Sequence, residues 1–191
     1  MEAYGEDVRA VVDELELDQV VLVGHSMGGP VILESAQRLQ NRVVAIVGVD
    51  TFIGKIFTKC TREEIDEYLA PLYPNFTEAV YNWVRRDMFT EKSDPALIER
   101  IASDMSAAPP MIGLGALEEL LRWDLTMALQ EVKAPIRCIN SYRDPNLEAQ
   151  YASYFDVVHV LQVGRHFVMM EDPDIFNRLL AEAIQELVRP D

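Results

Sequence analysis

The sequence predicts an α/β fold: a mainly parallel sheet of about four strands flanked by helices, with an inserted helical cap. Three observations carry this. The runs Gln19 to Val23, Val43 to Val49, Pro135 to Ile139 and Val157 to Val163 are near-continuously apolar, as strands covered on both faces must be. Helical patterns separate the strands, which favours crossover connections and a parallel sheet. The alternation stops between Phe52 and Val132, where helical patterns follow one another with no strand among them. The predicted organisation is therefore a core of residues 1–51 and 133–191 and a cap of residues 52–132.

Element by element, Gly5 to Leu17 places Val8, Val11, Val12, Leu15 and Leu17 on one helical face. The strand Gln19 to Val23 follows and breaks into Gly24-His25-Ser26-Met27-Gly28-Gly29. Pro30 to Gln40 then repeats Val31, Ile32, Leu33, Ala36 and Leu39 at helical spacing, and Val43 to Val49 forms a strand ending at Asp50. In the cap, Glu63 to Leu72, Thr77 to Phe89, Pro95 to Ser106 and Leu114 to Leu129 read as helices. The strand Pro135 to Ile139 runs into Asn140-Ser141-Tyr142-Arg143-Asp144-Pro145, where Asp-Pro reads as a turn. The last strand runs into Gly164-Arg165-His166, and Asp172-Pro173 reads as an N-cap with proline at the first helical position, opening a helix through Leu187.

Composition excludes several function classes. Seventeen Lys and Arg against 32 Asp and Glu leave a net charge of -15, which disfavours nucleic acid and anionic membranes as partners. Cys60 and Cys138 have no metal or redox spacing, so a reducing compartment is expected. No apolar run approaches the length of a membrane span, and Met1-Glu2-Ala3 does not open a signal peptide; a soluble, cytoplasmic protein is the expectation. With no phosphate-binding glycine loop and no cluster of ligating residue types, neither cofactor nor metal is expected.

The chemistry-bearing motif is GxSxG between a strand and a helix. A serine held on so sharp a turn sits in strained backbone geometry with no room for neighbouring side chains, a requirement that Gly24 and Gly28 meet. Ser26 is the candidate nucleophile, and the amide of Met27, at a helix N-terminus, is the candidate oxyanion donor. A serine hydroxyl needs a histidine base, and the histidine needs a carboxylate. Of the three histidines, His25 lies inside the elbow and His159 within a strand, whereas His166 follows a strand end in a loop at the carboxyl edge of the sheet. Asp144, beyond the preceding strand, is the first candidate acid; Asp50, which ends the strand beside the nucleophile strand, is the alternative. An apolar substrate pocket is expected among His25, Phe57, Trp83, Phe89, Met111, Trp123 and Phe167.

The elbow Gly24 to Gly29, the segment Ala134-Pro135 to Asp144-Pro145, and Gly164-Arg165-His166-Phe167 followed by Glu171-Asp172-Pro173 together resemble the α/β-hydrolase superfamily. The resemblance is to its small esterase, lactonase and cofactor-free haloperoxidase-like members. It implies a carboxylic ester hydrolase that cleaves a small ester or lactone through an acyl-enzyme, with Ser26, Asp144 and His166 in family order. A haloperoxidase or perhydrolase side activity would use the same triad. Against a complete member the fold is truncated, because the four strands that precede the first helix have no counterpart here. The loop carrying the second oxyanion donor is among them, and loss of one donor costs roughly two to three orders of magnitude in turnover. The alternative expectation is therefore a catalytically weak or inactive hydrolase-like binding or assembly domain. The absent strands also leave Gln19 to Val23 as an open edge, so a homodimer joined through this strand is expected, with a small-molecule ester as the other partner.

Overall fold

The computed structural model describes residues 1–160 and 165–188. Helix α1 (Glu2–Glu14) leads into strand β1 (Val20–His25), helix α2 (Gly28–Leu39) and strand β2 (Val43–Val49). Helices α3 (Arg62–Leu69), α4 (Phe76–Asp87), α5 (Pro95–Ser106), α6 (Pro110–Arg122) and α7 (Leu125–Glu131) follow without an intervening strand. The chain returns to the sheet in β3 (Ile136–Asn140), α8 (Pro145–Tyr151) and β4 (Phe155–His159), then ends in the short α9 (Val168–Glu171) and α10 (Pro173–Val188).

The described strands form one sheet in the order β1-β2-β3-β4, with every neighbouring pair parallel. Such pairing requires a crossover between strands, and helices supply each one. Both faces of the sheet are covered, which explains the continuous apolar runs. Ile46 and Cys138 point to the side of α2, where Leu33, Ala36 and Leu39 meet them, while Val47, Val49 and Ile139 point to Phe176 and Ala183 of α10. The expected strand Val157 to Val163 is observed as Phe155–His159; its positions 161–163 lie outside the described residues, as does Gly164.

Helix α1 starts and ends three residues before the expected Gly5 to Leu17 and leaves Val11, Leu15 and Leu17 exposed, and two further segments differ in kind. The pattern Leu114 to Leu129 is not one helix but two, α6 and α7, because Asp124 accepts a hydrogen bond from Met127 N (3.2 Å) and restarts the helix. At the break, the Trp123 indole donates to Glu34 Oε1 on α2 (2.9 Å). Helix α7 packs on α2 and adds Leu125, Ala128 and Leu129 to the core beneath the sheet. Helices α3 to α6 bury a separate cluster around Ile65, Leu69, Val80, Val84 and Ile101. Helix α8, the second difference, replaces the turn expected at Asp144-Pro145. Asp144 Oδ1 accepts from Leu147 N (3.2 Å) and Pro145 occupies the first helical position.

Candidate active site

The elbow is built from backbone constraints. Ser26 has φ of +53°, a conformation that L residues rarely adopt, and is held there by three hydrogen bonds. Its N–H donates to Val49 O (2.9 Å), and its carbonyl accepts from Gly29 N (2.9 Å) and from Thr51 Oγ1 (2.8 Å). A Cβ on Gly24 would lie 2.3 Å from Gly28 O, so glycine is needed where β1 passes the start of α2. Gly28 itself does not meet the crowding argument, since a Cβ there would touch nothing within 4 Å; the second crowded position is Gly29, whose Cβ would lie 2.1 Å from Thr51 Oγ1.

Asp50 leaves the end of β2 with φ of +45° and is 5% exposed. Its Oδ1 accepts two hydrogen bonds from Ser141, from the amide (2.9 Å) and the hydroxyl (2.8 Å). Its Oδ2 meets His166 Nδ1 at 2.5 Å. The structure thus corrects the expected neighbour of the histidine. Asp144 is engaged as the cap of α8, and the carboxylate on His166 comes from Asp50 instead.

His166 is held from two directions. Its N–H donates to Met88 O at the end of α4 (3.1 Å), which ties the histidine loop to the cap. Its carbonyl accepts from His25 Nε2 (2.7 Å), whose ring also lies 4.6 Å from the His166 ring between centroids. Burial, and next the neighbouring His166 ring, push the His25 pKa down to about 4. Its imidazole is therefore neutral at physiological pH and carries its proton on Nε2. Among the described residues, His166 Nε2 carries no hydrogen bond, so the nitrogen remote from Asp50 is open.

Thr51 and Asn140, neither singled out from the sequence, join these parts. Asn140, fully buried at the end of β3, accepts from Thr51 N and donates to Thr51 O (both 3.2 Å). Thr51 in turn donates to the Ser26 carbonyl, so the ends of β1, β2 and β3 are linked by side-chain bonds. The available signal was a pair of polar residues, Asn140-Ser141, ending an apolar strand.

Ser26, Met27, Asp50 and His166 line a cavity of about 620 Å³ between the sheet edge and the cap. Of the residues expected to line a pocket, Phe57 and Trp83 do so. The others are placed elsewhere. His25 lies behind the His166 ring, Phe89 and Phe167 stack on each other in the cap cluster, Trp123 is buried against Phe52 and Glu34, and Met111 is 88% exposed on the outer surface. His159 contacts Glu148 through Nε2 (3.2 Å), away from this site.

A doubly covered parallel sheet with a serine elbow, and a histidine and carboxylate at its carboxyl edge, defines the α/β-hydrolase class. The family's sequence profile matches residues 2–179, and the chain belongs to the alpha/beta hydrolase family. It is 20% identical to the Karrikin insensitive 2 receptor CA of Petunia hybrida over 96% of this chain and 72% of that protein. A shorter match, 40% identical over 53 residues, covers 28% of this chain and 22% of a carbendazim hydrolyzing esterase from Nocardioides. Among solved structures, a hydrolase from Oleispira antarctica superposes with a TM-score of 0.80 at 18% identity, over 96% of this chain and 71% of the other. The enol-lactonase from Burkholderia xenovorans gives 0.74 at 18% identity, over 95% and 71%.

Proposed function

We propose that the protein is a serine hydrolase that cleaves a small carboxylic ester or lactone through an acyl-enzyme, with Ser26 as nucleophile, His166 as base and Asp50 as acid. The observation that carries this reading is the contact between Asp50 Oδ2 and His166 Nδ1 on a cavity that Ser26 also lines. Asp50 fixes the tautomer that leaves Nε2 unprotonated, and stabilises the imidazolium that forms when Ser26 attacks. Ser26 Oγ adds to the carbonyl carbon while its proton passes to His166. The negative oxygen is stabilised by the Met27 amide at the N-terminus of α2. Collapse expels the alcohol, protonated by His166, and leaves the acyl-serine. Water then gives a proton to His166 as it attacks the acyl carbon; the bond from that carbon to Ser26 Oγ breaks, His166 returns the proton to Oγ, and the acid is released. Kinship with esterases and lactonases of the same fold supports the substrate class.

Labelling by a fluorophosphonate probe, together with turnover of p-nitrophenyl acetate, tests the reading. Both are expected in the wild type and both should disappear in Ser26→Ala. The name of the petunia relative favours a second reading, a hydrolase-like domain that binds a ligand. A folded wild-type protein that takes no label and turns over no ester would decide for that reading.

A further inference from the structure

The cavity has two unlike halves. The sheet edge supplies its reacting groups, whereas the cap supplies two facing helical walls, with Tyr68 of α3, Met105 of α5 and Ile53 to Phe57 closing the sides. Helix α4 turns Phe76, Val80, Trp83 and Asp87 toward it, positions spaced so that they share one helical face. Helix α6 faces them with Ile112, Gly113, Ala116, Leu117 and Leu120, again one face. Small residues keep the α6 wall shallow. A Cβ on Gly113 would lie 2.2 Å from Phe76 Cζ, so the missing side chain is what allows the Phe76 ring to lie against α6. Ala116 extends the same shallow strip by almost one turn.

Among the described residues, the charged side chains on the cavity other than Asp50 and His166 are Asp87 and Arg165. Asp87 is already engaged by Arg86 through two bonds of 3.0 and 2.7 Å, and Arg165 is exposed. The cap half therefore offers a charged ligand no buried partner, and transfer of a charge into it would be costly. The volume of the whole cavity, sheet edge included, is in the ordinary range for a chamber that encloses a small organic ligand.

We infer that the α4–α6 chamber receives the hydrocarbon tail of the acyl group, and that the preferred substrate is an uncharged ester of a medium-chain carboxylic acid. This rests on the serine-hydrolase reading above and narrows it. The p-nitrophenyl acetate, butyrate, octanoate and laurate series tests it. Each methylene that enters the chamber is worth up to about fourfold in kcat/KM, so the constant should climb from acetate to octanoate, chiefly through KM. Ala116→Trp fills the chamber and should lower the octanoate-to-acetate ratio at least tenfold, with Ala116→Leu intermediate. Gly115→Leu, on the neighbouring position where an added Cβ meets nothing within 4 Å, should leave the ratio as in the wild type. Fluorophosphonate labelling of Ser26 in every variant verifies a folded site. If labelling is intact but the ratio is flat, or unmoved by both Ala116 substitutions, the chamber assignment falls and the nucleophile stands. A preference that follows the alcohol in a series of acetate esters also overturns it. A wild type that takes no label removes the hydrolase reading and this inference together.

Discussion

Asp50 reaches its place because β2 ends beside β1, and its left-handed backbone turns the carboxylate to the histidine loop. Three contacts hold that carboxylate, two from Ser141 and one from His166. Asp50→Asn should preserve the fold and lower kcat by about four orders of magnitude, because an amide on Nδ1 allows the wrong imidazole tautomer. Asp144→Ala should cost about 1 kcal/mol of stability in urea unfolding, the worth of a helix N-cap, and change turnover little. The two substitutions thus separate the roles that the sequence leaves open between the two aspartates. Asp144-Pro145 carries the same N-cap and proline signature as Asp172-Pro173, where Ile175 N donates to Asp172 Oδ1 (3.0 Å). Asp144 stands at the carboxyl edge of the sheet, as the sequence predicts, but its side chain is taken up in capping α8. Asp50, by contrast, was legible as an alternative, since any residue ending a central parallel strand lies at the edge where ligands bind.

At the scale of elements, the strands and most helices follow from hydrophobic period and caps. Thr61 opens α3 through a reciprocal capping box with Glu64, and Asp94 opens α5 by accepting from Ala96 N. What the period could not disclose is which elements are bolted together. Thr51 and Asn140 show no periodic signal, because their value lies in bonds between strand ends that are remote in sequence. Thr51→Val removes one hydroxyl in a fully buried site and leaves the Ser26 carbonyl with only the Gly29 amide as donor. We expect kcat to fall about tenfold, near the 1.4 kcal/mol of one buried hydrogen bond, with KM unchanged and with Thr51→Ser restoring most of the loss. A loss in melting temperature without a change in kcat would leave Thr51 a purely structural residue. The pocket walls were partly hidden for a similar reason. Aromatic residues mark a pocket in sequence, whereas the α6 wall is made of the aliphatic and small residues Ile112, Gly113, Ala116, Leu117 and Leu120.

For the whole molecule, among the described residues β1 is bonded to β2 on one side only, with Val23 44% exposed. An apolar strand with a free edge is a template for pairing. Sedimentation equilibrium at micromolar concentration is expected to report a dimer, and Val23→Lys should shift it toward monomer; a wild type that sediments as a monomer would remove the pairing through Gln19 to Val23. The same architecture divides the reactive groups unevenly along the chain. Ser26 and Asp50 belong to a single strand-helix-strand unit whose ends are joined by the Ser26 amide on Val49 O, whereas His166 arrives from beyond α4 to α7 and is fastened to Met88. On the proposed assignment, a polypeptide severed between α4 and α5 would keep nucleophile and acid on one fragment and the base on the other. Neither piece alone could complete a turnover, and ester cleavage by the mixture would count reassembled molecules.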